Sequence, residues 1–282
     1  MLTSFQPGRP RLLGIVNVTP DSFSDGGRFL TAEQAVEHGL ALLAEGADAL
    51  DLGAESTRPG GGVYGTGART VPVNEELDRL LPVLVGLRRE TSQPLSVDTR
   101  KAAVAREALA VGADIINDVS ALGDPEMGAV VAAAGCAVIL MHSRGELGSM
   151  QRDIVFTDVV AEVAAELDDA AARALAAGIA HDKVIVDPGL GFGKTAAQNL
   201  ALLRGLPKLV ERGRPVLVGA SRKSFLGAVT GQPPAERLEG SLAAAAWAAQ
   251  GGAAILRVHD VAATRRFLEV WAAIADAVGE PS

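Results

Sequence analysis

Polar and charged side chains close each of eight short apolar segments of this sequence. Up to these last positions, the segments are almost entirely apolar. A charged group beside a buried interior is unfavourable unless it is paired or used in binding or catalysis. Their recurrence therefore predicts one site built from carboxylates, amides and cations. In chain order the side chains are Asn17, Glu55, Asp98, Asn117, Asp118, His142, Asp187, Lys223, Arg257 and His259.

A second candidate is the segment DPGLGFGKT, residues 187–195, which ends like a phosphate-binding loop. The pattern of that loop, G-x-x-x-x-G-K-[ST], requires its first glycine five positions before the second. Counting back from Gly193, the required position is occupied by Pro188, and Gly189 is one residue too close. The segment is therefore either a degenerate nucleotide loop or a glycine-rich turn after a strand.

The elements that must position these residues alternate between apolar runs and helical patterns. Two clear helical patterns cover residues 31–46 and 158–178, and the first opens with a capping box of Thr31 and Gln34. Parallel strands need such crossovers, and eight regular units favour a single (β/α)8 TIM barrel over a doubly wound open sheet. In a barrel, all the carboxyl ends of the strands meet at one face. The strand candidates are 11–18, 48–55, 93–99, 114–120, 137–142, 183–189, 215–221 and 254–260.

Composition excludes several other classes of protein. The net charge of −8 and the absence of a basic cluster make nucleic acid an unfavourable partner. The single cysteine, Cys136, cannot form a disulfide within the chain. No apolar run is long enough to span a membrane, and the first residues lack the features of a signal peptide. We expect a cytoplasmic protein with a flexible lead over residues 1–10 and one catalytic domain over residues 11–278.

Seven sequence motifs, in order along the chain, resemble those of dihydropteroate synthase. The resemblance extends from about residue 11 to residue 275, and the motifs are long enough to be specific. The motifs are GIVNVTPDSFSDGG (14–27), GAESTRPG (53–60), SVDTRK (96–101), NDVS (117–120), DPGLGFGK (187–194), VGASRKSFLG (218–227) and RVHD (257–260).

The resemblance implies a TIM-barrel transferase of folate biosynthesis. Members of that family condense 6-hydroxymethyl-7,8-dihydropterin diphosphate with 4-aminobenzoate, giving 7,8-dihydropteroate and pyrophosphate. They use Mg²⁺, are typically homodimers and are the target of sulfonamides. The implied partners of this chain are therefore two small-molecule substrates and a second copy of itself, with neither nucleic acid nor membrane involved.

The same resemblance implies a role for individual residues of this sequence. Asp98, Asp187, Lys223 and Arg257 would be catalytic, and together with Asn117 they would bind the pterin. The diphosphate would contact Thr57, Arg58, Arg257 and His259, and Asn17 would be the Mg²⁺ ligand. The 4-aminobenzoate would lie among Phe23, Pro59, Phe192, Ser221 and Ser224, with its carboxylate at the start of a helix.

One departure from the family pattern and three competing functions remain open. The segment 60–74 is longer than the family usually has after its ESTRPG motif, which leaves the shape of this loop undecided. The first alternative is a non-catalytic pterin-binding paralogue. A methyltetrahydrofolate-dependent methyl-transfer barrel would need no diphosphate site, so Arg58 argues against it. A nucleotide hydrolase is disfavoured by the glycine spacing of residues 187–195.

Overall fold

Eight parallel strands form one sheet in the computed structural model, which describes residues 9–18, 31–55, 70–145 and 154–277. The strand order is β6-β5-β4-β3-β2-β1-β8-β7, and a parallel bridge between Val186 and Val216 joins the two edges. The predicted TIM barrel is confirmed. The strands are β1 (Arg11–Asn17), β2 (Ala49–Gly53), β3 (Leu95–Asp98), β4 (Ile115–Asp118), β5 (Ala137–Met141), β6 (Val184–Asp187), β7 (Leu217–Val218) and β8 (Ile255–Val258).

The helices of the described chain cover the outside of the barrel. Thr31 caps the first with the predicted capping box to Gln34, and Asp158 caps the fifth through its side chain. They are α1 (Ala32–Ala44), α2 (Val73–Glu90), α3 (Ala102–Ala110), α4 (Met127–Ala134), α5 (Val159–Ala176), α6 (Ala196–Arg204), α7 (Leu206–Val210), α8 (Ser224–Thr230), α9 (Leu238–Gln250) and α10 (Val261–Asp276). Among the described residues, no helix is both long and apolar enough to cross a membrane.

Side-chain alternation divides the interior of the barrel into two levels. Residues two apart on a strand point to the same face, so one set from each strand fills the barrel and the other packs against the helices. The lower level of the interior is a separate apolar cluster, and the polar strand ends stand directly above it. The cluster consists of Leu13, Ala49, Ile115, Ile139, Ile185, Leu217, Ala254 and Ile255.

This layering explains why the strand ends carry the polar residues. Arg257 follows Ile255 by two positions, and Asn117 follows Ile115 in the same way, so each stands one level above an apolar neighbour. The apolar floor excludes water from below and holds the strands in register. The polar level is thereby confined to the carboxyl-terminal mouth, which is the face where TIM barrels carry their sites.

Candidate active site

The barrel mouth brings together most of the predicted site residues that the structure describes. Asp98, Asn117 and Asp187 are buried, whereas Lys223 and Arg257 are partly exposed. All five stand at or just beyond the carboxyl ends of their strands. Four predicted site residues, Phe23, Thr57, Arg58 and Pro59, lie outside the described residues.

Arg257 is the centre of an ion-pair network that crosses the barrel. Its Nε donates to Asp51 Oδ2 at 2.6 Å, and its Nη2 donates to Asp98 Oδ2 at 3.0 Å. Asp51 Oδ2 also accepts a hydrogen bond of 3.0 Å from Asn117 Nδ2. Burial alone would lower the pKa of Arg257, but the two carboxylates outweigh it and raise that pKa. The guanidinium therefore stays charged and fixed at the mouth.

Asp51 is a residue to which the sequence assigned no site role. Its side chain is fully buried, and one of its oxygens holds both Arg257 and Asn117 in place. The signal in the sequence was a carboxylate between two leucines in the middle of the segment DALDLGAE, which is also what a purely structural aspartate would look like. Its contacts with Arg257 and Asn117 tie it to the site.

Among the described residues, Asp98 has one carboxylate oxygen with a partner and one without. Its Oδ2 is held by Arg257, while its Oδ1 is buried and has no hydrogen-bond partner within the described part of the chain. Burial raises the pKa of Asp98 to about 7, against the attraction of the Arg257 guanidinium. A buried acceptor without a partner is unfavourable in a resting protein and fits a group that accepts a donor from a ligand.

Asp187 and Lys223 form the opposite side of the mouth. Asp187 Oδ1 accepts the Gly189 N–H at 2.7 Å, and burial raises the pKa of Asp187 against the attraction of Lys223. Lys223 Nζ donates to the carbonyl of Leu190 and lies 4.4 Å from the centre of the Phe192 ring. Burial lowers the pKa of Lys223 to about 8, with Asp187 opposing the shift. An acceptor, a donor and an aromatic ring thus lie together on this side of the mouth.

His259 and Ser221 lie together where β8 and the segment after β7 end. Ser221 Oγ lies 3.1 Å from His259 Nδ1 and accepts the His259 N–H at 3.3 Å. Sequence reasoning assigned these residues to different substrates, the diphosphate and the 4-aminobenzoate, and the fold makes them neighbours. Ser224 is the first residue of α8, as predicted, and Lys223 occupies the position before it.

The segment 187–195 does not form a nucleotide loop. Gly189, Gly191 and Gly193 all have positive φ, so the backbone folds back on itself after β6. Lys194, which would face phosphates in such a loop, is buried and donates to the carbonyls of Gly189 and Phe192. Thr195 caps α6 through a capping box with Gln198. The nucleotide-hydrolase alternative therefore has no structural support.

Glu55 holds both ends of the segment 56–69, which contains three of the predicted substrate contacts. It is the residue before that segment, and its Oε1 accepts the Val71 N–H, just beyond the segment, at 2.8 Å. Its Oε2 pairs with Arg100 at 3.3 Å and with Lys101 at 3.1 Å. Lys101 also pairs with the buried Glu76. This buried network fixes the two stems of the loop on the barrel.

The side chains described at the mouth suit a metal ion that is bound partly by the substrate. They do not suit a metal ion bound by protein side chains alone. Asn17, the predicted Mg²⁺ ligand, ends β1 beside Gly53 and is partly exposed. Among the described residues there is no cluster of three His, Cys, Asp or Glu side chains that could hold a metal ion. Mg²⁺ usually keeps several waters and takes one or two protein oxygens plus substrate phosphates, which matches a single amide oxygen.

Comparison with known proteins gives one consistent result. Residues 13–259 match the model of the pterin-binding enzyme family. A dihydropteroate synthase of Synechocystis sp. is 44% identical over 264 residues, covering 93% of this chain and 89% of the relative. A crystal structure of Xanthomonas albilineans dihydropteroate synthase with 4-aminobenzoic acid is 51% identical with a TM-score of 0.88, covering 96% of this chain and 94% of that one. The X. albilineans enzyme in complex with 7,8-dihydropteroate is 47% identical with a TM-score of 0.85, covering 97% and 96%.

Proposed function

This chain belongs to the pterin-binding enzyme family and, within it, to the dihydropteroate synthases, and we propose that it makes 7,8-dihydropteroate with the mouth residues described above. The reaction joins 6-hydroxymethyl-7,8-dihydropterin diphosphate to 4-aminobenzoate and releases pyrophosphate. The observation that carries the assignment of residues is the ring of acceptors and donors formed by Asp98, Asn117, Asp187, Lys223 and Arg257 above an apolar floor.

The pterin is bound through its polar edge. Its two parallel N–H groups match a carboxylate, and Asp187 has the remaining acceptor capacity after its bond to Gly189. Asn117 uses one amide hydrogen on Asp51 and keeps its oxygen and its second hydrogen for the mixed edge beside it. Lys223 donates to the acceptors of the ring. The flat guanidinium of Arg257, held from behind by two carboxylates, packs over the ring.

The chemical step breaks the C–O bond between the pterin methylene and the diphosphate. The bonding electrons leave with pyrophosphate, and the methylene becomes a cation conjugated with the ring. Asp98 stabilises this positive charge, since the Arg257 contact orients one of its oxygens and the other is free to face the ligand. The amine nitrogen of 4-aminobenzoate then forms the new C–N bond and releases one proton.

The diphosphate and 4-aminobenzoate sites would adjoin each other, because His259 and Ser221 are in contact. Arg257 and His259 would neutralise the diphosphate, together with Thr57 and Arg58. Asn17 would supply a protein oxygen to Mg²⁺, whose charge stabilises the departing pyrophosphate.

The ring of 4-aminobenzoate would pack on Phe192 beside the Lys223 stem, with its carboxylate towards Ser221 and Ser224. Phe23 and Pro59 complete this proposed subsite.

Two further properties belong to the same proposal: a homodimer and a cytoplasmic location. The dimer is supported by large apolar side chains that stay exposed on the last three helices, with Val229, Trp247, Val270 and Ile274 each more than half exposed. Light scattering during gel filtration should give twice the 28.9 kDa mass of the chain. A monomer at micromolar concentration would contradict it.

A coupled assay of pyrophosphate release tests the function directly. We expect release that requires the pterin diphosphate and Mg²⁺, is abolished by a chelator and is restored by added Mg²⁺. We expect 7,8-dihydropteroate only when 4-aminobenzoate is present. Release driven by ATP would overturn the proposal, and so would binding of the pterin without any turnover, which would identify a non-catalytic relative.

A further inference from the structure

A chain of titratable side chains that the reaction does not use begins in the loop of residues 187–195 and ends on α5. Lys194 Nζ lies 2.9 Å from His142 Nδ1, and His142 Nε2 lies 2.9 Å from Glu166 Oε2 on α5. Lys194 and His142 are buried, whereas Glu166 is partly exposed and is also bound by Arg144. The chain therefore runs from the surface of α5 to the inner side of the loop.

Hydrogen-bond geometry fixes where the protons of this chain lie. The Lys194 ammonium has three hydrogens, and its three nearest acceptors are His142 Nδ1 at 2.9 Å, Gly189 O at 3.0 Å and Phe192 O at 2.9 Å. The carbonyl of His142 lies farther away, at 3.4 Å. His142 Nδ1 must then be an acceptor, and its Nε2 carries the proton that is donated to Glu166. Burial lowers the pKa of His142 to about 4 and that of Lys194 to about 7, an order that keeps the shared proton on the lysine.

The carbonyls held by Lys194 lie close in sequence to the carbonyl that Lys223 binds. Gly189 directly precedes Leu190, whose carbonyl accepts from Lys223, and Phe192 follows Leu190 by two residues. The Phe192 ring is the aromatic wall 4.4 Å from Lys223 Nζ. The loop also lies tightly against the residue that carries the imidazole, because a Cβ added to Gly189 would come within 1.9 Å of His142 O. Any shift of these carbonyls therefore moves the wall and the lysine together.

We propose that Lys194 is a positioning residue for the second substrate: its ammonium, oriented by His142 and Glu166, holds the 189–192 backbone so that Phe192 and Lys223 form the 4-aminobenzoate pocket. This inference rests on the proposed function, because the pocket is assigned there. Lys194 itself is buried against His142 and the loop carbonyls, and it acts through Phe192 and Leu190.

The first test replaces the ammonium with an apolar group of similar length. Lys194→Met removes the ammonium donors and leaves the three nearest buried acceptors without their partner. Unpaired buried acceptors are costly, and the effect on binding of 4-aminobenzoate should be about 10-fold or more. We expect the KM for 4-aminobenzoate to rise about 10-fold while the dissociation constant of the pterin diphosphate changes less than about 2-fold. The matched control is Lys208→Met, an exposed lysine on α7, which should leave both values unchanged. Equal weakening of both substrates would overturn the proposal, as would an unchanged KM.

A second pair of variants separates positioning from a general loss of folding. His142→Asn keeps an oxygen acceptor near the position of Nδ1 and should retain a KM close to that of the wild type. His142→Leu removes the acceptor and should reproduce the Lys194→Met effect. If both histidine variants have the same KM, the ammonium does not depend on this acceptor and the proposal fails.

A measurement on the unmodified protein requires no variant to fold. In ¹⁵N-histidine spectra we expect His142 to be neutral at pH 6, where Lys194 is protonated, with the histidine proton on Nε2. A His142 that titrates near 6.5, or that carries its proton on Nδ1, would rule out donation from Lys194. Failure of the proposed function is distinguished by the wild-type assay: a chain without synthase turnover refutes that function, whereas an active chain with a titrating His142 refutes only this inference.

Discussion

Replacing Asp51 by asparagine should weaken both the barrel and its pterin site, although Asp51 lies beneath the substrates. Its Oδ2 accepts from Arg257 at 2.6 Å and from Asn117 at 3.0 Å, and its side chain has no exposed surface. Asparagine keeps the shape and one acceptor oxygen. It removes the negative charge and places an amide NH₂ where Asp51 Oδ1 is buried without a partner in the described chain.

The structure sets the expected size of this effect. Breaking a buried ion pair by removing one partner destabilises a protein by about 3–5 kcal/mol, because the other charge is left uncompensated. Arg257 is not left alone, since it keeps Asp98 at 3.0 Å, and about a fifth of its side chain is exposed (21%). We therefore expect the lower end, about 3 kcal/mol, which is roughly a 100-fold change in the folding equilibrium. Pterin affinity should fall about 10-fold, since Arg257 and Asn117 lose a common anchor.

Two measurements and one control test this reasoning. Urea unfolding followed by circular dichroism gives the change in stability, and calorimetric titration gives the dissociation constant of the pterin diphosphate. Asp276→Asn is the matched control because Asp276 pairs with Arg9 at the surface, where both side chains are more than half exposed and such pairs contribute little. The reasoning is refuted if Asp51→Asn is within about 0.5 kcal/mol of the control and binds the pterin equally well.

Three further predictions concern the other side of the mouth. Asp187→Asn should weaken pterin binding by about 1–3 kcal/mol in calorimetric titration, and an unchanged affinity would make Asp187 purely structural. Because the pKa of Lys223 is lowered to about 8, kcat/KM should fall as the pH rises through 8. Between pH 8 and 10.5 the unfolded chain binds more protons at Lys223 than the folded chain, so the stability contribution of this lysine should rise with pH while activity falls. Lys223→Arg should remove the alkaline decline in kcat/KM. A decline that persists in this variant would have to come from another group. Gly189→Ala should abolish activity and lower the melting temperature, because the added Cβ would lie 1.9 Å from a backbone oxygen. The control is Gly213→Ala, also at positive φ but with no atom within 4 Å in the described structure, which should lower the free energy of unfolding by only about 1 kcal/mol. Equal effects of the two variants would mean that the turn at Gly189 can relax to avoid the clash.

Most of the site could be predicted because the information is local in the chain. Side chains alternate between the two faces of a strand, so the spacing of residues in the sequence predicts which of them share a face. The change from apolar to polar residues along the strand predicts which end lies at the site. Asp98, Asn117 and Asp187 were found in this way, and the structure describes all three at the mouth. The helix start at Thr31 was equally readable, because a capping box needs only residues three apart.

The errors of omission have a common physical cause. Lys194 looked like a phosphate-binding residue or a solvent contact, and it is instead buried against His142, 52 positions earlier. Ser221 was assigned away from His259, and it lies against it. Which rotamer a long polar side chain adopts depends on which neighbours the closed barrel provides, and neighbours distant in sequence leave no periodic signal.

From the sequence alone we could predict the number of strands, the position at which each strand changes from apolar to polar residues, and the family to which the chain belongs. Which charges pair with each other depends on the closed barrel. Arg257 meets Asp51 across 206 positions because closing the barrel places β8 beside β1 and β1 beside β2. The attraction between opposite charges grows as the distance between them falls and as water is excluded around them. Both the distance and the exclusion of water are set only when the strands have closed into the barrel.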